Sequence, residues 1–158
     1  MKKESLSLLL GYLSNQMELL GRILKEVEDT NPTSKEKTSH LAYLLHNFYC
    51  ALEDVFQEIA KTFENRIEDP SKYHRELLNR MQLDVPGIRP KLLSRESRLV
   101  LDELRGFRHV FRHAYDFELD PEKVKGLKHK LIVHWARIEK DVDVFTGFLQ
   151  NAAGIKKG

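Results

Sequence analysis

Apolar residues recur every three or four positions along almost the whole chain, and this spacing favours amphipathic helices. The pattern is longest in the last segment, where the apolar stripe consists of Val124, Leu127, Leu131, Trp135, Ile138, Val142, Phe145 and Leu149. Asp120 is a good N-cap for this segment, and Pro121 suits the first position of a helix. We therefore predict a long final helix with one buried face.

Proline-containing breaks divide the rest of the chain into four more helices. The predicted helices cover roughly residues 4–28, 35–68, 71–81 and 94–115. Because short connections favour antiparallel neighbours, we predict an all-α, up-and-down antiparallel helical bundle of four long helices and one short helix. Residues 1–150 form a single domain in this prediction, and residues 151–158 form a flexible basic C-terminal tail.

Composition argues against several classes of protein. The hydrophobic content of 41% suffices for a core, and the net charge of +2 is too small to indicate a nucleic-acid partner by itself. Cys50 is the single cysteine, so the chain has no internal disulfide and no cysteine-rich zinc site. No apolar run approaches the roughly 18 residues of a membrane span, and we expect a cytoplasmic protein with no membrane partner.

The fourth predicted helix carries a concentrated basic surface opposite its core stripe. With about 100° per residue, the core stripe consists of Val100, Leu104, Phe107, Phe111 and Ala114. The opposite arc consists of Arg105, Arg108, His109, Arg112, His113 and Tyr115. No acidic residue lies between positions 105 and 115, so positive charge is concentrated in a chain that is nearly neutral overall.

The residue types on this surface indicate more than solubility. A solvated basic face is the ordinary interpretation, but lysine would serve that purpose as well as arginine. Arginine binds phosphate through two parallel hydrogen bonds, and histidine titrates near neutral pH. Metal-free phosphodiester cleavage needs one group that moves a proton and another that stabilises charge on the phosphate. The surface therefore carries the side chains that such a reaction requires.

The segment Arg108-His109-Val110-Phe111-Arg112-His113 resembles the motif of the HEPN superfamily, in which arginine and a polar residue precede a histidine. The following Ala114-Tyr115 extends the likeness to HepT toxins, the partners of minimal nucleotidyltransferase antitoxins of the MntA type. The upstream segment from Tyr73 to Leu78 is also similar to the family's pattern. Arg112 departs from it, because an aliphatic residue often stands at this position.

The resemblance implies a HEPN-like bundle that acts as a metal-independent endoribonuclease and needs no cofactor. In the implied reaction, His113 is the general base on the ribose 2′-hydroxyl, and Arg108 holds the scissile phosphate and stabilises its charge. His109 orients or assists. The implied products are a 2′,3′-cyclic phosphate and a 5′-hydroxyl.

The resemblance also implies a homodimer whose two motif helices line one cleft. Arg108 and His113 lie about 140° apart on an ideal helix, which is awkward for one phosphate within one chain. Two facing copies remove this difficulty. Arg105 and Arg112 are further candidate RNA-binding residues. Tyr115 is the implied site at which the antitoxin attaches AMP, which adds negative charge and bulk across the cleft.

Two other functions stay open at this point. The same arginine and histidine side chains would also serve a non-catalytic HEPN module that binds a nucleotide or acts as the accessory subunit of a nucleotidyltransferase. In the remaining interpretation, the chain is a plain helical interaction protein and the motif is a coincidence.

Other polar residues have ordinary interpretations. Glu53, Asp54 and Glu58 favour a solvated face, because no histidine stands at the spacing of a di-metal site. Glu53 or Asp54 is also a candidate partner for an arginine of the motif. We expect His46 to make a hydrogen bond at the edge of the core, and we expect Cys50 to be buried and inert.

Overall fold

A computed structural model of the protein describes residues 2–64, 73–113 and 118–155. Within these ranges it contains five helices, which are α1 (Lys3–Asp29), α2 (Lys35–Phe63), α3 (Tyr73–Met81), α4 (Arg95–Arg112) and α5 (Pro121–Ala152). None of these helices combines the length and the apolar character that a membrane crossing requires. The prediction of an all-α bundle with four long helices and one short helix is confirmed.

Side chains with oxygen acceptors fix the starts of three helices. Ser34, Ser94 and Asp120 each accept a hydrogen bond from a backbone amide in the first turn of α2, α4 and α5, at 3.1, 3.3 and 3.0 Å. Pro121 occupies the first position of α5. Each cap satisfies an amide that has no partner inside its helix, and the three helices begin within one residue of their predicted starts.

The second helix, α2, lies at the centre of the bundle and contacts all four other helices. Its fully buried side chains include Phe48, Tyr49, Phe56 and Ile59. By contrast, α5 buries one stripe, which consists of Val124, Leu131, Ile138, Val142, Phe145 and Leu149. A helix that other helices surround is apolar over more of its circumference than a helix at the surface. The core is therefore built around α2.

Polar contacts show that α4 and α5 are antiparallel. At the start of α4, the Ser94 and Ser97 hydroxyls donate hydrogen bonds to Asp141, late in α5, at 2.8 and 2.6 Å. Further along α4, Glu103 pairs with Lys130, earlier in α5, at 2.7 Å. Because the partners run in opposite order along the two helices, the short connection between them produces the antiparallel neighbours that the sequence predicts.

The ends of α2 and of the last helix differ from their predicted positions. The second helix ends at Phe63, whereas the expected end was near residue 68. The last helix continues to Ala152, and Ala153 behind it is buried. The boundary predicted between domain and tail at residue 150 therefore falls inside α5. The single-domain assignment itself stays a prediction.

A buried arginine holds the connection between α3 and α4 against the end of α2. The side chain of Arg89 is fully buried and forms an ion pair with Glu64, the C-cap of α2. The same guanidinium donates to the carbonyls of Arg80, Leu83 and Pro90, each at 3.1 Å. Arginine can do this because its planar group carries five donors. One side chain thus connects the end of α3, the following loop and α2.

Replacement of Arg89 by leucine would remove the buried partner of the Glu64 carboxylate and one donor from each of three backbone carbonyls. We expect Arg89→Leu to lower the free energy of unfolding by about 3–5 kcal/mol, as happens when a buried pair loses one member. Urea denaturation measures this change. The control is Arg22→Leu at an exposed position of α1, which should change the value by no more than about 0.5 kcal/mol. Equal effects of the two substitutions would contradict the structural role of Arg89.

Candidate functional site

The basic residues occupy the C-terminal half of α4 and the turn that follows it. This helix ends at Arg112, not at the expected residue 115, and His113 is its C-cap with φ −109° and ψ 14°. Because this φ differs from the helical value, the His113 side chain points in a different direction from a side chain on an ideal helix. Cations at this end are favoured by the helix dipole, whose C-terminal end is negative. Tyr115 falls in 114–117, outside the described residues.

One surface cleft of about 440 Å³ brings the described motif residues together. Its lining consists of His74, Arg105, Arg108, His109, Arg112 and His113. All five described residues that the sequence singled out on this surface therefore line the same space within one chain. The cleft also contains His74 of α3, which sequence reasoning did not assign to a site. The homodimer stays a prediction.

The basic residues of the cleft differ in exposure. The exposed members are His109, Arg112 and His113, whereas Arg105 and Arg108 are half-buried. The Nε atom of Arg108 is buried, and no described residue accepts a hydrogen bond from it. The expectation that this whole surface lies outside the core is therefore wrong for Arg108. Its guanidinium lies between the cleft and the interior.

Two hydrogen bonds connect Arg108 to the interior. Arg108 donates from Nη1 to His74 Nε2 at 2.7 Å, and His74 donates from Nδ1 to Glu53 Oε1 at 2.6 Å. Arginine has donors only, so His74 Nε2 must be the acceptor and Nδ1 must carry the proton. Glu53 is 6% exposed, which corrects the expectation of a solvated carboxylate. Glu53 does pair with an arginine of the motif, but through His74.

Glu53 and His74 are the residues of this site that sequence reasoning missed. Two signals pointed to them. Glu53 directly follows Leu52 and stands two positions before Val55 in the apolar part of α2, and both of these residues are fully buried. His74 belongs to the segment already noted as similar to the HepT pattern. Neither signal gives the distance between the two residues, which depends on how α2 and α3 pack.

Two tyrosines flank the Glu53 carboxylate. Burial raises the pKa of the Tyr49 hydroxyl, and the charge of Glu53 raises it further. Burial also raises the pKa of Tyr73, again with a contribution from Glu53. Both phenols are therefore neutral at physiological pH. Negative charge in this neighbourhood resides on carboxylates and not on the tyrosines.

His46 lies behind the basic residues at the edge of the core. Its ring packs against Phe111 with centroids 4.9 Å apart, and its Nε2 lies 3.6 Å from Cys50 Sγ, so the expected hydrogen bond is confirmed. Burial lowers the pKa of His46, and Arg108 and Arg112 lower it further. Burial raises the pKa of the half-buried Cys50 thiol, which keeps it protonated and unreactive.

The cleft can perform acid–base chemistry beside an anion. The rings of His109 and His113 lie 4.5 Å apart, close to the guanidinium groups of Arg108 and Arg112 in the lining. Imidazoles can accept or donate a proton, and guanidinium groups can bind phosphate. Within the described ranges, no three histidine, cysteine or carboxylate side chains are grouped as ligands of a metal ion.

The pKa of His46 makes the stability of the fold depend on pH. Its pKa in the folded protein is below the ordinary value of 6.5, so the unfolded chain binds the proton more readily. Neutral His46 therefore stabilises the fold fully at pH values above 6.5, and this stabilisation is lost as the pH falls below 6.5. We expect His46→Leu to reduce the fall in unfolding free energy between about pH 7.5 and about pH 5.5. Urea denaturation at both pH values measures the fall, and a fall equal to that of the wild type would contradict this account.

Comparison with known proteins agrees with the resemblance seen in the motif. Residues 40–149, more than two thirds of the chain, match the sequence model of a family described as HepT-like protein. The matched range includes every residue that lines the cleft. No curated protein and no solved structure matches the chain. On the strength of the family match, the chain belongs to the HepT-like protein family.

Proposed function

We propose that this protein is a metal-independent endoribonuclease toxin that cleaves RNA by attack of a ribose 2′-hydroxyl. One observation carries the proposal: imidazole and guanidinium groups line the same cleft. Membership in the HepT-like family supports a toxin-related function of the HEPN type. RNA is the substrate because the 2′-hydroxyl supplies the nucleophile that the cleft's own side chains can activate.

In the proposed reaction, His113 removes the proton from the 2′-hydroxyl as its oxygen forms a bond to phosphorus. The bond between phosphorus and O5′ breaks, and the proton that His113 took up passes to O5′. His109, whose ring lies beside that of His113, assists this proton transfer. Arg108 stabilises the extra charge on the phosphate. The products are a 2′,3′-cyclic phosphate and a 5′-hydroxyl.

Arg105 and Arg112 bind neighbouring phosphates of the RNA in this proposal. Both line the cleft on either side of Arg108 along α4. Arg105 also pairs with Asp102 at 2.9 Å, which fixes its side chain near the helix. Contacts with the RNA backbone do not depend on sequence and weaken as salt concentration rises.

The cognate partner in this proposal is an MntA-like nucleotidyltransferase antitoxin that attaches AMP to Tyr115. Tyr115 is two residues from His113, so their Cα atoms are separated by no more than about 7.6 Å. An AMP group there would bring negative charge and bulk to the mouth of the cleft. The active form is a homodimer that acts in the cytoplasm.

The loss of the general base should slow cleavage strongly. We expect His113→Ala to reduce the rate of RNA cleavage in EDTA by about 10²–10⁴-fold, the usual contribution of a general base. Gel analysis of an end-labelled RNA measures the rate and identifies the cyclic phosphate. The matched control is His129→Ala, an exposed histidine of α5 outside the cleft.

Three outcomes would count against this reaction. Intact RNA with both wild type and variant removes the ribonuclease activity. Cleavage that needs added metal removes the mechanism, because the proposed proton transfer uses side chains alone. Tight binding of RNA or nucleotide without cleavage would support the alternative, a non-catalytic HEPN nucleotide-binding module or accessory subunit of a nucleotidyltransferase.

The proposed modification of Tyr115 has its own test. We expect co-expression with the cognate nucleotidyltransferase to add the mass of AMP to the wild-type chain, and Tyr115→Phe to prevent this addition because the acceptor oxygen is gone. Intact-protein mass spectrometry measures the adduct. Tyr43→Phe is the control, because Tyr43 is 50% exposed and should leave the adduct in place. An adduct that persists in Tyr115→Phe would remove this residue from the modification.

A further inference from the structure

We propose that Glu53 and His74 are positioning residues that hold Arg108 in the orientation that receives the scissile phosphate. This inference rests on the proposed ribonuclease function, because it assigns the two residues a role through Arg108. The three side chains come from three helices, α2, α3 and α4; His74 and Arg108 line the cleft, and Glu53 is buried behind His74. Neither Glu53 nor His74 belongs to the sequence motif.

The hydrogen-bond directions determine the state of His74. Arg108 can only donate, so the lone pair of His74 Nε2 points at Nη1, at 2.7 Å. His74 is then neutral and directs its Nδ1–H to Glu53 Oε1, at 2.6 Å. The opposite tautomer or the doubly protonated ring would direct an N–H at the guanidinium. Only one of the three forms of the imidazole therefore fits both contacts.

The buried carboxylate makes this arrangement specific. A carboxylate out of water needs a strong donor, and His74 Nδ1–H supplies one. Hydrogen bonding to an anion also makes the opposite nitrogen of the ring a better acceptor, as it does for histidine ligands of metals. Glu53 thus selects the tautomer of His74 and strengthens the contact that His74 makes with Arg108.

The Arg108 guanidinium faces the cleft on one side and the interior on the other. His74 engages Nη1, whereas Nε is buried without an acceptor among the residues that the structure describes. Nη2 and the second N–H of Nη1 are further donors of the planar group, and donors of this kind bind phosphate oxygens. A phosphate that enters the cleft would accept hydrogen bonds from them. A side chain held at one nitrogen needs little reorganisation when it binds the anion.

Two substitutions of His74 separate the two hydrogen bonds. In His74→Gln, the amide reaches the place of Nε2, so its oxygen can still accept from Arg108. In His74→Asn, the shorter amide reaches the place of Nδ1, so it can contact Glu53 but not Arg108. We expect His74→Asn to lower kcat by about 100-fold with little change in KM, because a misplaced group costs chemistry more than binding. His74→Gln should keep kcat within about tenfold of the wild type.

A double-mutant cycle tests whether the pair acts through Arg108. If it does, His74→Asn should lower kcat in the wild type but cause no further loss in an Arg108→Ala background. Arg75→Gln, at the exposed neighbouring position on α3, is the control and should leave kcat unchanged. Equal losses from His74→Asn in both backgrounds would overturn the proposal, and so would equal losses from the Asn and Gln variants.

A second measurement needs neither a variant of His74 nor ribonuclease activity. Correlation of ring protons with imidazole nitrogens by NMR of the wild-type protein should show His74 with a protonated Nδ1 and a bare Nε2. Glu53→Gln should weaken this preference, because the amide no longer supplies a negative acceptor. The opposite tautomer in the wild type would overturn the proposal. RNA that stays intact would instead refute the ribonuclease function, while the NMR result would still decide whether His74 holds Arg108.

Discussion

The buried carboxylate of Glu53 constrains everything that surrounds it. A charge in the interior is tolerated only with a strong hydrogen-bond partner, and this partner, His74, comes from a different helix. The second ring nitrogen of His74 then accepts a hydrogen bond from Arg108 of α4. One charged group in the central helix thereby sets the relative placement of α2, α3 and α4. Arg89 likewise connects neighbouring elements at the end of α2, but it does not line the cleft.

The cleft concentrates positive charge, and the fold offsets that charge locally. Arg105 pairs with Asp102 on its own helix, and Arg108 reaches Glu53 through His74. The C-terminal end of α4 is negative, which favours the cations of its last turn. Because the counter-charges lie beneath or beside the arginines, the surface that faces solvent keeps its positive character. The repulsion among the cations of the cleft is therefore already reduced before an anionic ligand binds.

Local signals predicted the helices, and long-range packing produced the site. Periodicity identified each helix, and side chains such as Asp120 marked the starts, because caps act within one turn. The predicted end of α4, at residue 115, lies beyond the observed end at Arg112 because Ala114 is a good helix former and no glycine or proline follows Arg112 closely. The contacts of His74 span 21 and 34 positions along the chain, and no local pattern encodes such distances.

Some residues of the cleft are anchored by hydrogen bonds and others are exposed to solvent, and the proposed reaction needs both kinds. A general base must exchange protons with its surroundings, and His109 and His113 are exposed at the end of α4. A group that stabilises charge at phosphorus works best when its orientation is fixed before the substrate arrives. Arg108 meets this requirement because it is half-buried and already hydrogen-bonded. The helix end is therefore a suitable place for this chemistry, since its last turn combines exposed and anchored positions within a few residues.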